Sequence, residues 1–149
     1  MIEKPQNGMT LIVKTVTRLT TGLILLFGIY IVFHGHIASE GGFAGGVIIA
    51  LSFVHLMLAY GKEIALRKMS EKASELLENI GAVIFMLISL LGLFSGSYFF
   101  LNSLNKGRAF SLFSAGIMPL CNIAIGLIVG AGLFTIFTTL VFFRGKKND

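Results

Sequence analysis

The stretch Phe33–Val47, FHGHIASEGGFAGGV, separates two nearly unbroken apolar runs, and its reading decides the fold. It carries two histidines, one carboxylate and two glycine pairs. Three chemistries compete for such a segment: a metal site, a phosphate-cradling loop, or a joint where a membrane chain turns back. A zinc site asks for three or four converging ligands. The chain has only His34, His36 and His55, and at a ~1.5 Å rise per residue His55 stands roughly 28 Å from His36 along a helix. No metal site is expected. Gly41, Gly42, Gly45 and Gly46 lack the Gly-Lys-Ser/Thr continuation and the strand that precede a phosphate-binding helix. The joint remains: an apolar run ends at Phe33, and a quick reversal favours residues tolerant of positive φ.

Outward from this joint the chain is mostly apolar. Of its 149 residues 55% are hydrophobic and 13% charged, and its mean hydropathy is +0.88. A soluble domain of this size has no interior for so much apolar surface, so lipid or other membrane subunits must act as solvent. The apolar runs are Leu11–Phe33, Phe43–Tyr60, Ile80–Leu101 and Ile117–Phe143. Each reaches or approaches the ~20 residues that cross a ~30 Å hydrocarbon layer. They predict an all-α integral membrane protein, one domain over 1–149, with four transmembrane helices. The first run needs the turns carrying Lys14 and Arg18, which share a helical face and can snorkel to headgroups. No small-residue cleavage site follows it, so an anchor is expected and not a removed signal peptide.

The formal charge of +5 and pI near 9.6 come from lysines and arginines at the ends of apolar runs, which speaks for topology and against nucleic acid as a partner. The N-terminal flank has Lys4, Lys14 and Arg18, the second connection Lys62, Arg67, Lys68 and Lys72, and the tail Arg144, Lys146 and Lys147. Against these ten stand only Lys106 and Arg108 in the third connection. The count predicts both termini in the cytoplasm, a multi-pass protein of the cytoplasmic membrane, and an outward-facing joint. Between the second and third runs, Leu66, Met69, Ala73, Leu76 and Leu77 recur at helical spacing, and Glu63, Arg67 and Glu71 are i, i+4 neighbours. That segment reads either as a short interfacial helix or as a solvated connector with an apolar underside. Cys121 stands alone, so no disulfide forms within the chain.

Proton or cation movement through a bilayer needs several ionisable groups in series, each costly in lipid. The candidates are His55 within the second run, Glu78 beside Asn79 at the cytoplasmic mouth of the third, Asn122 after Pro119 toward the outer end of the fourth, and His36 with Glu40 in the joint. No lysine or carboxylate is expected near a helix centre, so these residues can add steps to a path shared with neighbours but not complete one. His55 has a second reading, as a hydrogen-bonding partner of another helix. No nucleophile with a base and orienting carboxylate is visible, and no cofactor fingerprint, so neither catalytic nor cofactor-binding residues are expected. Small-xxx-small pairs recur at Gly42/Gly46, Gly92/Gly96 and Gly126/Gly130, with Gly132 beyond. Such pairs let helices approach closely, either inside the chain or against partner subunits.

The segment IVKTVTRLTTGLILLFGIYIVFHGHIASEGGFAGGVIIA resembles the start of the MnhB/MrpB-type subunit of multisubunit cation/proton antiporters. The motif is Gly35, His36, Gly41, Gly42, Phe43, Gly45 and Gly46, and GIMPLCNIAIGLIVGAGLF resembles that family's last helix. Where the family commonly has Pro-Gly-Gly-Gly before the Phe, this chain has Ser39 and Glu40 in place of the Pro and first Gly. The resemblance implies a noncatalytic membrane subunit of a Na+/H+-exchanging assembly, partnered by other membrane subunits and the bilayer, that supports assembly and lines part of the path of Na+ or H+. It equally implies the same subunit inside a membrane-bound hydrogenase-type complex. Two rivals stand outside it: a self-contained small transporter, for which a mid-helix charge would be required, and a scaffold without ion contact.

Overall fold

The computed structural model describes residues 9–37, 40–96, 98–102 and 115–146. Lys4, Ser39, Lys106, Arg108 and Lys147 lie outside them. The described chain is helical: α1 Leu11–His34, α2 Gly41–Tyr60, α3 Lys62–Lys68, α4 Glu71–Gly96 and α5 Met118–Lys146. Within these, Leu11–His34, Gly41–Tyr60, Glu71–Phe94 and Met118–Phe143 are long and apolar enough to cross a membrane. The chain is therefore a multi-pass membrane protein of four spans.

The spans pack in the order α1, α2, α5, α4, so the second and last form the middle of the bundle. Glycine explains how close they come. A Cβ on Gly28 would fall 2.8 Å from Ile49 Cγ1 and 3.2 Å from the Gly45 carbonyl oxygen, which fixes the crossing of α1 with α2. On the neighbouring face of α2, a Cβ on Gly46 would fall 2.9 Å from the Gly126 carbonyl oxygen and 3.2 Å from the Gly130 nitrogen. On α4 the same part is played by Gly81, whose Cβ would stand 2.9 Å from the Ala124 carbonyl oxygen. In lipid, where apolar side chains gain little by hiding from their surroundings, such backbone contact is the main attraction between helices.

Few large side chains are buried. Phe134 is fully enclosed, with Phe53 edge-on at 5.7 Å and Met57 and Ala65 around it. This cluster forms where α3 tucks beneath α2 and α5. Outward faces are apolar, from Leu19, Leu23 and Leu26 on α1 to Phe94, which is 88% exposed, on α4. The Met9 N–H donates to the Ala59 carbonyl at 3.1 Å, and the Lys62 ammonium lies 4.2 Å above the Phe142 ring. The start of α1, the end of α5 and α3 therefore share one face of the bundle.

The second connection departs from its periodicity. Met69 is extended (φ −140°, ψ 109°), ending α3, and the Ser70 hydroxyl accepts the Ala73 N–H at 3.2 Å as the cap of α4. Glu63, Arg67 and Glu71 thus do not share a helix; Glu71 instead pairs with Lys62 at 3.9 Å. The third span begins at Glu71 and not at Ile80, and it stops at Gly96 and not at Leu101. Beyond it the chain folds back, with Phe100 at φ 59° donating its N–H to the Ser89 carbonyl at 3.3 Å. The Gly92 face expected to meet another helix is filled by this return: its Cβ would fall 2.8 Å from both the Tyr98 oxygen and the Phe100 nitrogen. Gly96 is the last residue of α4.

Candidate functional site

The joint between α1 and α2 is built by backbone contact. His34 closes α1, with its Nδ1 3.0 Å from the Tyr30 carbonyl, and His36 Nδ1 lies 2.9 Å from the Phe33 carbonyl. His36 thereby satisfies a carbonyl of the last helical turn, where the helix end leaves acceptors without N–H partners, whereas His34 shares the Tyr30 carbonyl with its own backbone N–H. Their ring centroids are 6.2 Å apart. Glu40 sits at the N-cap of α2 with φ 76° and ψ 9°, in the left-handed region that favours glycine. It is exposed, its side chain makes no capping bond, and its carbonyl accepts the Ala44 N–H at 3.0 Å. The position at which this chain replaces the family's glycine is the one that adopts glycine's conformation.

Asn122 of α5 fills the notch behind this turn. A Cβ on Gly42 would fall 2.7 Å from the Asn122 carbonyl oxygen and 2.9 Å from its Cα, and one on Gly35 2.7 Å from its Cγ. A Cβ on Gly41 would meet the Gly35 nitrogen at 2.7 Å and the Ile31 oxygen at 2.9 Å. Gly35 and Gly42 thus pack against the half-buried Asn122, while Phe43 between the glycine pairs points outward and is 56% exposed. Gly45 packs on Val32 Cγ2, and Gly126 and Gly130 receive α2 from the other side.

Deeper in the bundle, Thr20 Oγ1 of α1 and His55 Nε2 of α2 share a hydrogen bond of 3.2 Å. Nearer the helix ends, the Tyr60 hydroxyl donates to the Lys14 carbonyl at 2.7 Å. Between α4 and α5, Thr135 Oγ1 donates to Ser74 Oγ at 3.0 Å, and Ser74 Oγ donates to the Ala131 carbonyl at 2.9 Å. Thr17, Ser74 and Thr138 are all buried, and none was singled out by sequence. A hydroxyl such as that of Ser74, which bonds a carbonyl on the facing helix, leaves no periodic signal that distinguishes it from a surface hydroxyl, and the buried Thr138 Oγ1 has no hydrogen-bond partner among the described residues.

Glu78 stands apart from these groups. Its carboxylate lies 3.6 Å from the position of a Cβ on Gly132, the midpoint of α5. From sequence, Glu78 is expected at the mouth of the third span; in the structure it lies about two turns into α4 and faces the middle of α5. The cause is the early start of α4 together with its register on α5, in which Ser74 meets Ala131 and Gly81 meets Ala124. Among the described residues no hydrogen bond or ion pair reaches this carboxylate, and the side chain is half-buried. A carboxylate at this depth is costly unless something beyond the chain meets it.

The site residues divide accordingly. His36, Glu40 and Asn122 gather at the joint, His55 lies in the α1–α2 seam, and Glu78 lies on the far side of α5. Among the described residues no three His, Cys, Asp or Glu side chains are grouped to hold a metal ion.

Comparison with known proteins gives this arrangement a family. The uncharacterized protein MJ1307 of Methanocaldococcus jannaschii is 38% identical over 120 residues, which are 76% of this chain and 45% of that protein. A Staphylococcus aureus protein named as a candidate antiporter subunit, mnhB2, is 33% identical over 88 residues, 59% of this chain and 62% of its own length. A chain of the membrane-bound sulfane sulfur reductase (MBS), an archaeal respiratory membrane complex, superimposes with a TM-score of 0.72 at 29% identity, over 92% of this chain and 60% of that one. This chain thus spans about half to two thirds of the relatives it matches. The family described as "Domain related to MnhB subunit of Na+/H+ antiporter" matches residues 12–135, from the first span into the fourth, and the chain belongs to that family.

Proposed function

We propose that this chain is a noncatalytic membrane subunit of a Mrp-type cation/proton antiporter module, in the cytoplasmic membrane with both termini inside. It helps to build the assembly and contributes Glu78 to a cation or proton path completed by neighbouring subunits. The observation that carries this reading is the half-buried Glu78 carboxylate beside the midpoint of α5, without a partner among the described residues. A self-contained path would need further ionisable groups at similar depth. Besides Glu78, the ionisable groups set more than a turn inside a span among the described residues include Arg18 in α1 and His55, which is engaged with Thr20 across α5 from Glu78. His36 and Glu40, with Asn122 behind them, form the outer rim in this reading, and His55 is a structural link between α1 and α2.

The orientation rests on the cation count, supported by the common face that carries Lys14, Lys62, Arg67 and Lys68. A second reading assigns the same subunit to a redox-driven respiratory complex, and the extensive likeness to a chain of the sulfane sulfur reductase supports it. The test is to purify the intact assembly in mild detergent, reconstitute it, and measure Na+-dependent proton movement with wild-type and Glu78→Gln chains. Loss of exchange with subunit composition unchanged is the expected result. Unchanged exchange in the variant would remove Glu78 from the path.

A further inference from the structure

A cleft of about 460 Å³ opens between α1, α2 and α3. Its wall from α1 is Arg18, Thr21, Gly22 and Leu25, a single helical face. From α2 come Ser52, Phe53, Leu56 and Tyr60, and from α3 Ile64 and Lys68. The cleft is graded. Arg18 and Lys68 stand toward the face shared by α3 and the start of α1, and Leu25, Phe53 and Leu56 extend into the span. No Asp or Glu lines it among the described residues. Nearby acids are turned elsewhere, Glu71 toward Lys62 and Glu63 to an exposed face of α3.

The polar atoms of the wall are unevenly used. Ser52 donates to the Ile49 carbonyl at 2.7 Å and Tyr60 to the Lys14 carbonyl. Thr21 Oγ1 is buried and has no hydrogen-bond partner. An unspent hydroxyl below two cations and above an apolar floor is the pattern of a single amphiphilic ligand, with a phosphate at the top, a polar ester or ether junction below it and a hydrocarbon chain at the bottom. Basic pockets between membrane helices recognise anionic headgroups in this way.

We infer that the cleft walled by Arg18, Lys68 and Thr21 is a binding site for one anionic phospholipid, its phosphate between the two cations and an acyl or isoprenoid chain along Leu25, Phe53 and Leu56. A partner helix is the poorer occupant: it would have to bring an acid to the rim and a close-fitting apolar face to the floor, whereas lipid supplies both within one molecule. This site does not depend on the antiporter reading, because it uses neither Glu78 nor the glycine joint.

The test is native mass spectrometry of the intact chain in detergent, titrated with phosphatidylglycerol, phosphatidylcholine or inorganic phosphate. One phosphatidylglycerol should be retained in preference to phosphatidylcholine. Each cation removed, by Arg18→Gln or Lys68→Gln, should weaken retention about fivefold, from the ~1 kcal/mol a basic residue contributes at an anionic surface. Lys72→Gln, outside the cleft with the same charge change, should leave it unaltered. Gly22→Leu keeps both cations and fills the cleft, since nothing stands within 4 Å of a Cβ there; it should abolish retention. Equal retention of both lipids, or loss in Lys72→Gln as large as in Lys68→Gln, would overturn the site. So would displacement of the lipid by inorganic phosphate at equal concentration, or a subunit that the cleft variants release while lipid binding stays the same.

Discussion

The Glu78 carboxylate rests against Gly132, 3.6 Å from where that residue's Cβ would be, half-way along α5. Gly132 leaves room beside the carboxylate, and among the described residues nothing pairs with it. Replacing Glu78 by Gln keeps the shape and removes the charge. It is expected to lower cation-coupled proton movement by about tenfold or more, equivalent to losing ~1.4 kcal/mol of charge stabilisation, while the assembly keeps its subunits. Fluorescence quenching of a pH dye in proteoliposomes, read beside native sizing, checks both parts.

Glu40 offers a backbone prediction. A non-glycine residue in the left-handed region costs about 1–2 kcal/mol, and Glu40 has φ 76° there. Glu40→Gly should therefore raise the unfolding midpoint in detergent. Glu40→Gln keeps the strained backbone and should leave the midpoint near that of wild type. If the glutamine variant changes ion exchange and the glycine variant changes it equally, the charge at the outer rim matters as well as the turn.

Gly46 and Gly22 form a matched pair. An alanine at 46 would press its Cβ to 2.9 Å from the Gly126 carbonyl oxygen and from Val129 Cβ, and helix backbone yields little. Gly46→Ala should destabilise the chain by about 1–3 kcal/mol, the usual cost of overpacking. Gly22→Ala meets nothing within 4 Å and should be neutral. Thermal unfolding of both variants in one detergent provides the comparison.

The Thr20–His55 bond is the side chain to side chain link across the α1–α2 seam among the described residues, at 3.2 Å. Interhelical hydrogen bonds in membranes contribute ~0.6 kcal/mol on average and about 1.7 at most. A double-mutant cycle of Thr20→Val and His55→Leu should return a coupling energy in that range. Coupling near zero, together with loss of ion exchange in His55→Leu alone, would move His55 from structure to the path.

Much of the fold is legible in sequence for a physical reason: in lipid every backbone polar group must be satisfied within the chain, so a long apolar run has to be helical. The joint at Phe33–Val47 is legible because two glycine pairs in so short a stretch allow only a turn and a close approach. The start of α4 was also within reach, since Ser70 before Glu71 is a recognisable helix cap, but the continuous amphipathic spacing across 63–77 masked it. The depth of Glu78 was not legible. It follows from the register of α4 on α5, set by Gly81 at Ala124 and Ser74 at Ala131, contacts between segments far apart in the chain. For the same reason Gly92 looked like a helix-packing residue, whereas the returning chain at Tyr98 and Phe100 fills its face.

The central claim is that neighbouring membrane subunits complete this chain. Gentle detergent extraction followed by native sizing, with identification of every protein that travels with the chain, tests it most directly. The expected result is a large assembly containing antiporter-like subunits, with redox subunits added if the respiratory reading holds. A lone chain or homo-oligomer that exchanges Na+ for H+ after reconstitution would contradict it.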